Sequence, residues 1–347
     1  MNVKIPTASA FDISGEKVTD KKTIADSFCN YFTTCVDRLC NVLPVNFVWQ
    51  NSAGINEVDT RFGFKPVDER EIYNHLIHLK SSKAPGYDNI PPKLLVDAAS
   101  VLARPLTFIM NLSMKESIFP KSLKIAKVLP LFKSGDRSSF GNYRPISILP
   151  CISKIAERVI YNQLSSYLEF NDLITSSQFG FRKRYNTELA VTLLTDNIRH
   201  AMDRGELTGA VFIDLQKAFD TVEHSILLSK LPLYGIYNDE LKWLCSYLTG
   251  RFQFVQYWNS LSETKAHVKF GVLQGSILGP LLFLLHINDL AKCIKKCNLL
   301  MYADDAIIYT SHSSFQVIET ILTTEIKGIS EWMNENKAYY KFKKREN

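Results

Sequence analysis

The sequence predicts an α+β protein in which short antiparallel hairpins pack on amphipathic helices. Three observations predict it. Leu299 to Tyr302 and Ala306 to Tyr309 are apolar runs on either side of Asp304-Asp305, the pattern of two strands joined by a tight turn. Ile24, Phe28, Tyr31, Phe32, Cys35, Val36 and Leu39 recur at helical spacing, as do Ile152, Ile155, Val159, Ile160, Leu164 and Tyr167. Gly209 to Ile213 is a continuous apolar run, read as a buried strand that ends in Asp214.

The totals fit that class. A chain of 347 residues with 46% apolar and 12% aromatic content supports a sizeable core and excludes a disordered chain. A net charge of +6 admits a nucleic-acid partner without requiring one. Seven irregularly spaced cysteines form neither a paired metal motif nor a disulfide framework, so a reducing compartment is expected. Residues 1–10 carry no secretory signal. The most apolar run, Ile277 to Leu285, is broken by Gly279-Pro280 and falls far short of the ~20 residues a spanning helix needs. A soluble chain without a membrane partner is expected.

Taken in order, residues 1–20 show no period and are expected as loop. A helix over Lys22–Leu43 is closed by Pro44, and 44–65 form a linker with a domain boundary near 65. Asp68-x-x-Glu71 has the form of a capping box ahead of Ile72, Leu76 and Leu79. Lys80 to Pro92 is a rigid basic loop, followed by helical pattern at 93–116. Ile125–Lys133 reads as a strand, Gly135-Asp136-Arg137 as a turn, and Cys151–Leu168 as a helix. Gln178 to Tyr185 is a second basic, aromatic loop, and the helix after it is lined by Leu189, Leu193, Leu194, Ile198 and Met202. Asn238 is placed to cap a helix that Gly250 stops. Phe252–Tyr257 and Lys265–Phe270 form a hairpin. Gly271 to Ser276 is a glycine-rich turn opening an apolar helix to about Leu290, and a last helix covers 314–334.

Adjacent carboxylates at a hairpin tip resist joint ionisation, and a hard divalent cation such as Mg²⁺ or Mn²⁺ relieves that repulsion. Asp-Asp also serves as a plain turn, so the pair alone decides nothing. A strand ending in Asp214 beside this tip would gather three carboxylates, suited to two metal ions and in-line phosphoryl transfer; Asp220 is the alternative third ligand. Basic residues interleave with aromatics at Lys80/Lys83, Lys127/Lys133, Arg144 and Arg182-Lys183-Arg184-Tyr185. Each cluster is ordinarily solvated surface, but four of them ahead of the acids favour a polyanion groove. Gln274, between glycines before a helix, offers backbone N–H groups to an anion or sugar.

Three segments resemble successive palm motifs of reverse transcriptases of the LINE-like (non-LTR, jockey-type) retrotransposon branch. They are Phe212-Ile213-Asp214 through His224, Gly271-Val272-x-Gln274-Gly275-Ser276-x-Leu278-Gly279-Pro280, and Tyr302-Ala303-Asp304-Asp305. Lys80 to Leu95, Asn142-Tyr143-Arg144-Pro145-Ile146-Ser147 and Gln178-Phe179-Gly180-Phe181-Arg182 resemble that branch's finger motifs, in the expected order.

The resemblance implies a right-hand polymerase with fingers over 66–205, palm over 206–347 with some interleaving, and an N-terminal extension of one helix and a linker over 1–65. Asp214, Asp304 and Asp305 would hold two Mg²⁺ or Mn²⁺ ions. Lys133 and Arg144 would meet the incoming triphosphate, Phe219 would exclude a ribose 2′-OH, Gln274 would brace the sugar, and Lys344 would serve the leaving pyrophosphate. Lys83, Arg182, Lys183, Arg184 and Gly275 would line the template-primer path. Partners would be an RNA template, a DNA primer and dNTPs, in nucleus and cytoplasm. The motif after Trp332 departs from the family at Ala338 to Arg345, His286 replaces the usual tyrosine, and no thumb or endonuclease segment is recognisable. A truncated reverse transcriptase domain is therefore expected, the alternative being an inactive nucleic-acid-binding remnant.

Overall fold

The computed structural model describes residues 10–13, 15–40 and 58–341. In chain order, β1 (Phe11–Ile13) and β2 (Glu16–Val18) form a hairpin ahead of α1 (Lys21–Cys40). Then come α2 (Glu69–Ile77), α3 (Pro92–Asp97), α4 (Ala99–Lys115), β3 (Ile125–Phe132), β4 (Tyr143–Ile148), α5 (Cys151–Phe170) and α6 (Thr187–Asp203). The second half runs β5 (Leu207–Leu215), α7 (His224–Lys230), α8 (Asn238–Leu248), β6 (Arg251–Tyr257), β7 (Ser260–Leu261) and β8 (Ala266–Val268). It closes with α9 (Gly279–Ile287), α10 (Leu290–Cys293), β9 (Asn298–Tyr302), β10 (Asp305–His312), α11 (Phe315–Glu335) and β11 (Tyr340–Lys341).

Two main sheets organise the molecule. The first has the order β11-β5-β10-β9, antiparallel throughout. Because side chains alternate along a strand, Val211, Ile213 and Leu215 face the large aliphatic core while Asp214 and Phe212 share the other face. Gly209–Ile213 is thus not the wholly buried strand the apolar run suggests, for Phe212 is 63% exposed. Beneath this sheet, α9 and α11 are pinned by a buried ion pair. Lys230 Nζ lies 2.7 Å from Asp289 and also donates to the His286 carbonyl, and Trp332 Nε1 donates to the same carboxylate (3.1 Å).

The second sheet runs β4-β3-β6-β7, with β8 also on β6. Here β3 pairs antiparallel with β4 but parallel with β6, so a hairpin more than a hundred residues later completes a sheet begun at Ile125. Its core is aromatic. Phe11, Phe28, Tyr143 and Tyr257 meet with ring centroids 5.0–5.8 Å apart, beside Val128 and Val255. Residues expected as N-terminal loop therefore form a hairpin whose Phe11 is fully buried, and α1 packs directly on this sheet. Pro44, expected to close that helix, lies outside the described residues.

Several local expectations meet the structure directly. Asp68 accepts a hydrogen bond from Glu71 N (2.7 Å) at the start of α2. Asn238 is the first helical residue of α8, with Tyr237 in the cap position. The helix α6 turns Leu189, Leu193 and Met202 outward and buries Ala190 and Ala201, since only its side near Leu194 meets Leu300, Ile307 and Tyr309. Among the described residues no helix is long and apolar enough to cross a membrane.

Candidate active site

The acidic end of the first sheet is set by register. Asp305 is the direct partner of Asp214 across β10 and β5, and of Tyr302 across β10 and β9. Directly opposed residues on antiparallel strands hold their Cβ atoms about 5 Å apart, so these two carboxylates emerge side by side. Asp304 sits in the turn between β9 and β10, and the turn is made by Ala303 at φ 56°. Burial, and then the charges of Asp305 and Asp214, hold the Asp304 carboxyl above the usual carboxylate range, while Arg144 pulls the other way.

This geometry bears on metal binding. Among the described residues no group of three or more His, Cys, Asp or Glu side chains is placed, as it stands, to hold a metal ion. By type, the donors suit a hard divalent cation such as Mg²⁺ or Mn²⁺: three carboxylates line one cleft, and Asp305 and Asp214 both act against ionisation of Asp304. Mg²⁺ is commonly held by one or two carboxylates with water and substrate phosphates completing its shell, which an open cluster permits.

The cleft has a volume of about 610 Å³, within the range of small-molecule sites. Lys133 and Arg144, both exposed, line it together with the aspartates, and Phe219, Gln274 and Gly275 form part of its lining. Arg144 belongs to β4, so the basic side comes from the second sheet and the acidic side from the first.

The glycine-rich turn ties the two together. Ser147 N at the end of β4 donates to the Gln274 carbonyl (2.7 Å), and a Cβ at Gly275 (φ 110°) would lie 2.5 Å from the Ser147 carbonyl oxygen. Glycine is required there by both conformation and space. On the other side, Val272 N donates to Phe219 O and Gly271 N to Val222 O (both 2.8 Å). Fully buried Glu157 of α5 accepts from Ile277 N (2.6 Å), fixing the far end of the same turn; burial raises its carboxyl above the ordinary range.

Phe219 is held flat against Phe283 (centroids 4.5 Å, interplanar angle 17°) and edge-on to Phe181. Gln274 Nε2 donates to Asp220 Oδ1 (2.9 Å), and burial raises the Asp220 carboxyl to about 6. Asp220, the alternative third carboxylate from sequence, is therefore occupied in bracing Gln274. Lys217 also lines the cleft; its Nζ is 4.7 Å from the Tyr31 ring centroid, bringing α1 to the site.

The remaining predicted residues divide. Lys183 and Arg184 are exposed. Lys83 is exposed on a loop that Tyr87 stacks against Phe254 of β6 (4.8 Å, 3°). Arg182 is committed inward instead of toward a template path. Its guanidinium is paired with Glu169 (2.8 Å), donates to the Thr175 carbonyl (2.9 Å) and stacks on Tyr185, leaving the side chain 7% exposed. Lys344 lies outside the described residues. Sequence reasoning missed Lys217, Glu157 and the bracing role of Asp220. A signal existed for Lys217 alone, three residues past Asp214 in a turn.

Similarity to known proteins agrees with this arrangement. A family described as "Reverse transcriptase (RNA-dependent DNA polymerase)" matches residues 133–347. The chain belongs to the reverse transcriptase family. It is 35% identical over 288 residues to "Probable RNA-directed DNA polymerase from transposon BS" of Drosophila melanogaster, covering 78% of this chain and 31% of that protein. It is 30% identical over 279 residues to "RNA-directed DNA polymerase from mobile element jockey" of Drosophila funebris, covering 77% and 30%. The chain thus spans under a third of the length of these curated relatives.

Proposed function

We propose that this chain is the polymerising domain of a non-LTR retrotransposon reverse transcriptase, extending a DNA primer on an RNA template with dNTPs. The first sheet would be the palm and the second the core of the fingers. The observation that carries this is one cleft lined both by Asp214, Asp304 and Asp305 of the first sheet and by Lys133 and Arg144 from the β3–β4 hairpin of the second.

In this reading, the primer 3′-oxygen attacks the α-phosphorus of a dNTP; the new P–O bond forms as the bond to pyrophosphate breaks. Two Mg²⁺ or Mn²⁺ ions held by the three aspartates would activate that oxygen and neutralise phosphate charge. Arg144 and Lys133 bind the triphosphate, Arg144 with a guanidinium suited to bidentate phosphate contact. Phe219, immobilised by Phe283, closes the space beside the sugar against a 2′-OH. Gln274, fixed by Asp220, orients the sugar. Lys83, Lys183, Arg184 and the exposed backbone at Gly275 meet the template-primer, and such a protein would act in nucleus and cytoplasm.

The test is primer extension on poly(rA)/oligo(dT) with and without Mg²⁺ or Mn²⁺. Metal-dependent incorporation of dTTP supports the reading. Salt-dependent binding of the template-primer without any extension would instead make the chain a nucleic-acid-binding remnant.

A further inference from the structure

The turn that presents Asp304 is not self-supporting. Ala303 occupies the left-handed region at φ 56°, which is unfavourable for a residue with a Cβ. Support comes from a segment over a hundred residues earlier. Met301 N donates to Ser177 O and Phe179 N to Met301 O (both 2.8 Å), so residues 177–179 lie alongside β9 as a short parallel partner. A Cβ at Gly180 would overlap the Ala303 nitrogen, so only glycine allows this approach.

Gln178 lies at the centre of this contact and is almost wholly buried. Its Oε1 accepts from Ala303 N (2.9 Å) and from Gly180 N (2.7 Å), and its Nε2 faces the Ala303 carbonyl at 3.4 Å. Two N–H donors on one side-chain atom require that atom to be oxygen, which fixes the amide orientation. Among the described residues, every hydrogen bond of this side chain is thus spent on the turn before Asp304 or on the glycine that lets the turn approach.

We infer that Gln178 is a positioning residue for the metal-binding carboxylates, a clamp that holds the Ala303 turn so that Asp304 is presented beside Asp214 and Asp305. The inference rests on the polymerase reading for its consequence in catalysis, but not for its consequence in metal binding. An ordinary core glutamine would tolerate replacement by an apolar residue of similar shape. A clamp would not, because such a residue leaves the Ala303 and Gly180 N–H groups buried and unpaired.

The experiment compares the full chain with Gln178→Met and Gln178→Glu, measuring Mn²⁺ binding by electron paramagnetic resonance and primer extension in parallel. Methionine fills the slot but offers only a weakly accepting thioether, whereas glutamate keeps the accepting oxygen. The clamp predicts that Gln178→Met weakens Mn²⁺ binding roughly tenfold or more, the scale of one lost buried hydrogen bond. It also predicts a comparable drop in kcat with the KM for dTTP unchanged, and Mn²⁺ affinity at the parental level in Gln178→Glu. A space-filling role predicts the reverse ranking, with methionine tolerated and the buried charge harmful, and that result overturns the inference. If Gln178→Met does not fold, Gln178→Glu decides: parental Mn²⁺ affinity supports the clamp, and its loss overturns it. A parental chain that binds Mn²⁺ but extends no primer refutes the polymerase reading while the Mn²⁺ ranking still decides the clamp. Failure of the parental chain to bind Mn²⁺ overturns both.

Discussion

The two sheets that border the cleft are supported by different cores. The β5-β10-β9 sheet rests on a large, mainly aliphatic core shared with α5, α8, α9 and α11, whereas the β3-β4-β6 sheet rests on a small aromatic cluster with β1 and α1. Their charges differ as sharply. The first carries three aspartates that repel one another; the second presents Lys133 and Arg144 exposed, where water solvates each charge. Apart from Lys217, which follows β5, the acids and bases of the cleft are thus held on separately supported elements, joined by the Gln274 turn. Oppositely charged side chains in direct contact would neutralise each other, whereas separation leaves both sets available to a substrate bearing phosphates and to cations.

The strongest way to break this comparison is at the acidic sheet. Asp304→Asn should reduce primer extension by roughly 10³-fold or more, as expected when a principal electrostatic group of a polymerising site is lost. It should also raise the melting temperature in the absence of metal, because one of the repelling charges is gone. Extension within tenfold of the parent would reject the assignment.

The aromatic core answers to packing instead. Phe28→Ala should cost about 3–5 kcal/mol in urea unfolding, the range for removing a fully buried Phe. A loss below about 1 kcal/mol would mean that the cluster does not carry the second sheet.

At the basic side, Arg144→Ala should raise the KM for dNTPs by roughly 10- to 100-fold, the scale of a charge-assisted hydrogen bond, with a smaller change in kcat. Steady-state kinetics at saturating template-primer decides it; an unchanged KM would remove Arg144 from the nucleotide site.

Neighbouring arginines and lysines should separate next. Replacing Lys183 or Arg184 by alanine should each lower the salt-dependence slope of template-primer binding by about one unit. Arg182→Ala should leave that slope alone and cost roughly 1–3 kcal/mol of stability, a buried-pair value reduced because Glu169 is about a third exposed. A change of slope on losing Arg182 would show that it does face nucleic acid.

The smallest effect concerns pH. Asp220 has its carboxyl raised from 3.8 to about 6 by burial, so the folded state holds this proton more tightly than the unfolded state. Its contribution is fully present below about 3.8, is lost as pH rises to about 6, and is constant above. Stability of the parent relative to Asp220→Asn should therefore fall between pH 4 and 6 in metal-free denaturation curves. A flat difference over that range would show that the carboxyl titrates normally.

What the sequence determined by itself was whatever depends on neighbours along the chain. The Asp304-Asp305 hairpin, the Asp68 N-cap of α2, the amphipathic α5 and the glycine turn before α9 are set by turn chemistry and by side-chain period, which act over a few residues. The ordered motifs added the family. Tertiary structure decided everything that depends on which distant segments meet. The parallel pairing of β3 with β6 and the burial of Phe11 follow from long-range packing, which no local pattern encodes. In the run Arg182-Lys183-Arg184, sequence shows three equivalent cations. Only the fold supplies Glu169 and Tyr185 to turn the first inward, because the cost of burying a charge is offset only where a partner already waits. Gln178 and Asp220 follow the same rule: a buried polar side chain acquires its role from the donors and acceptors that the fold brings to it.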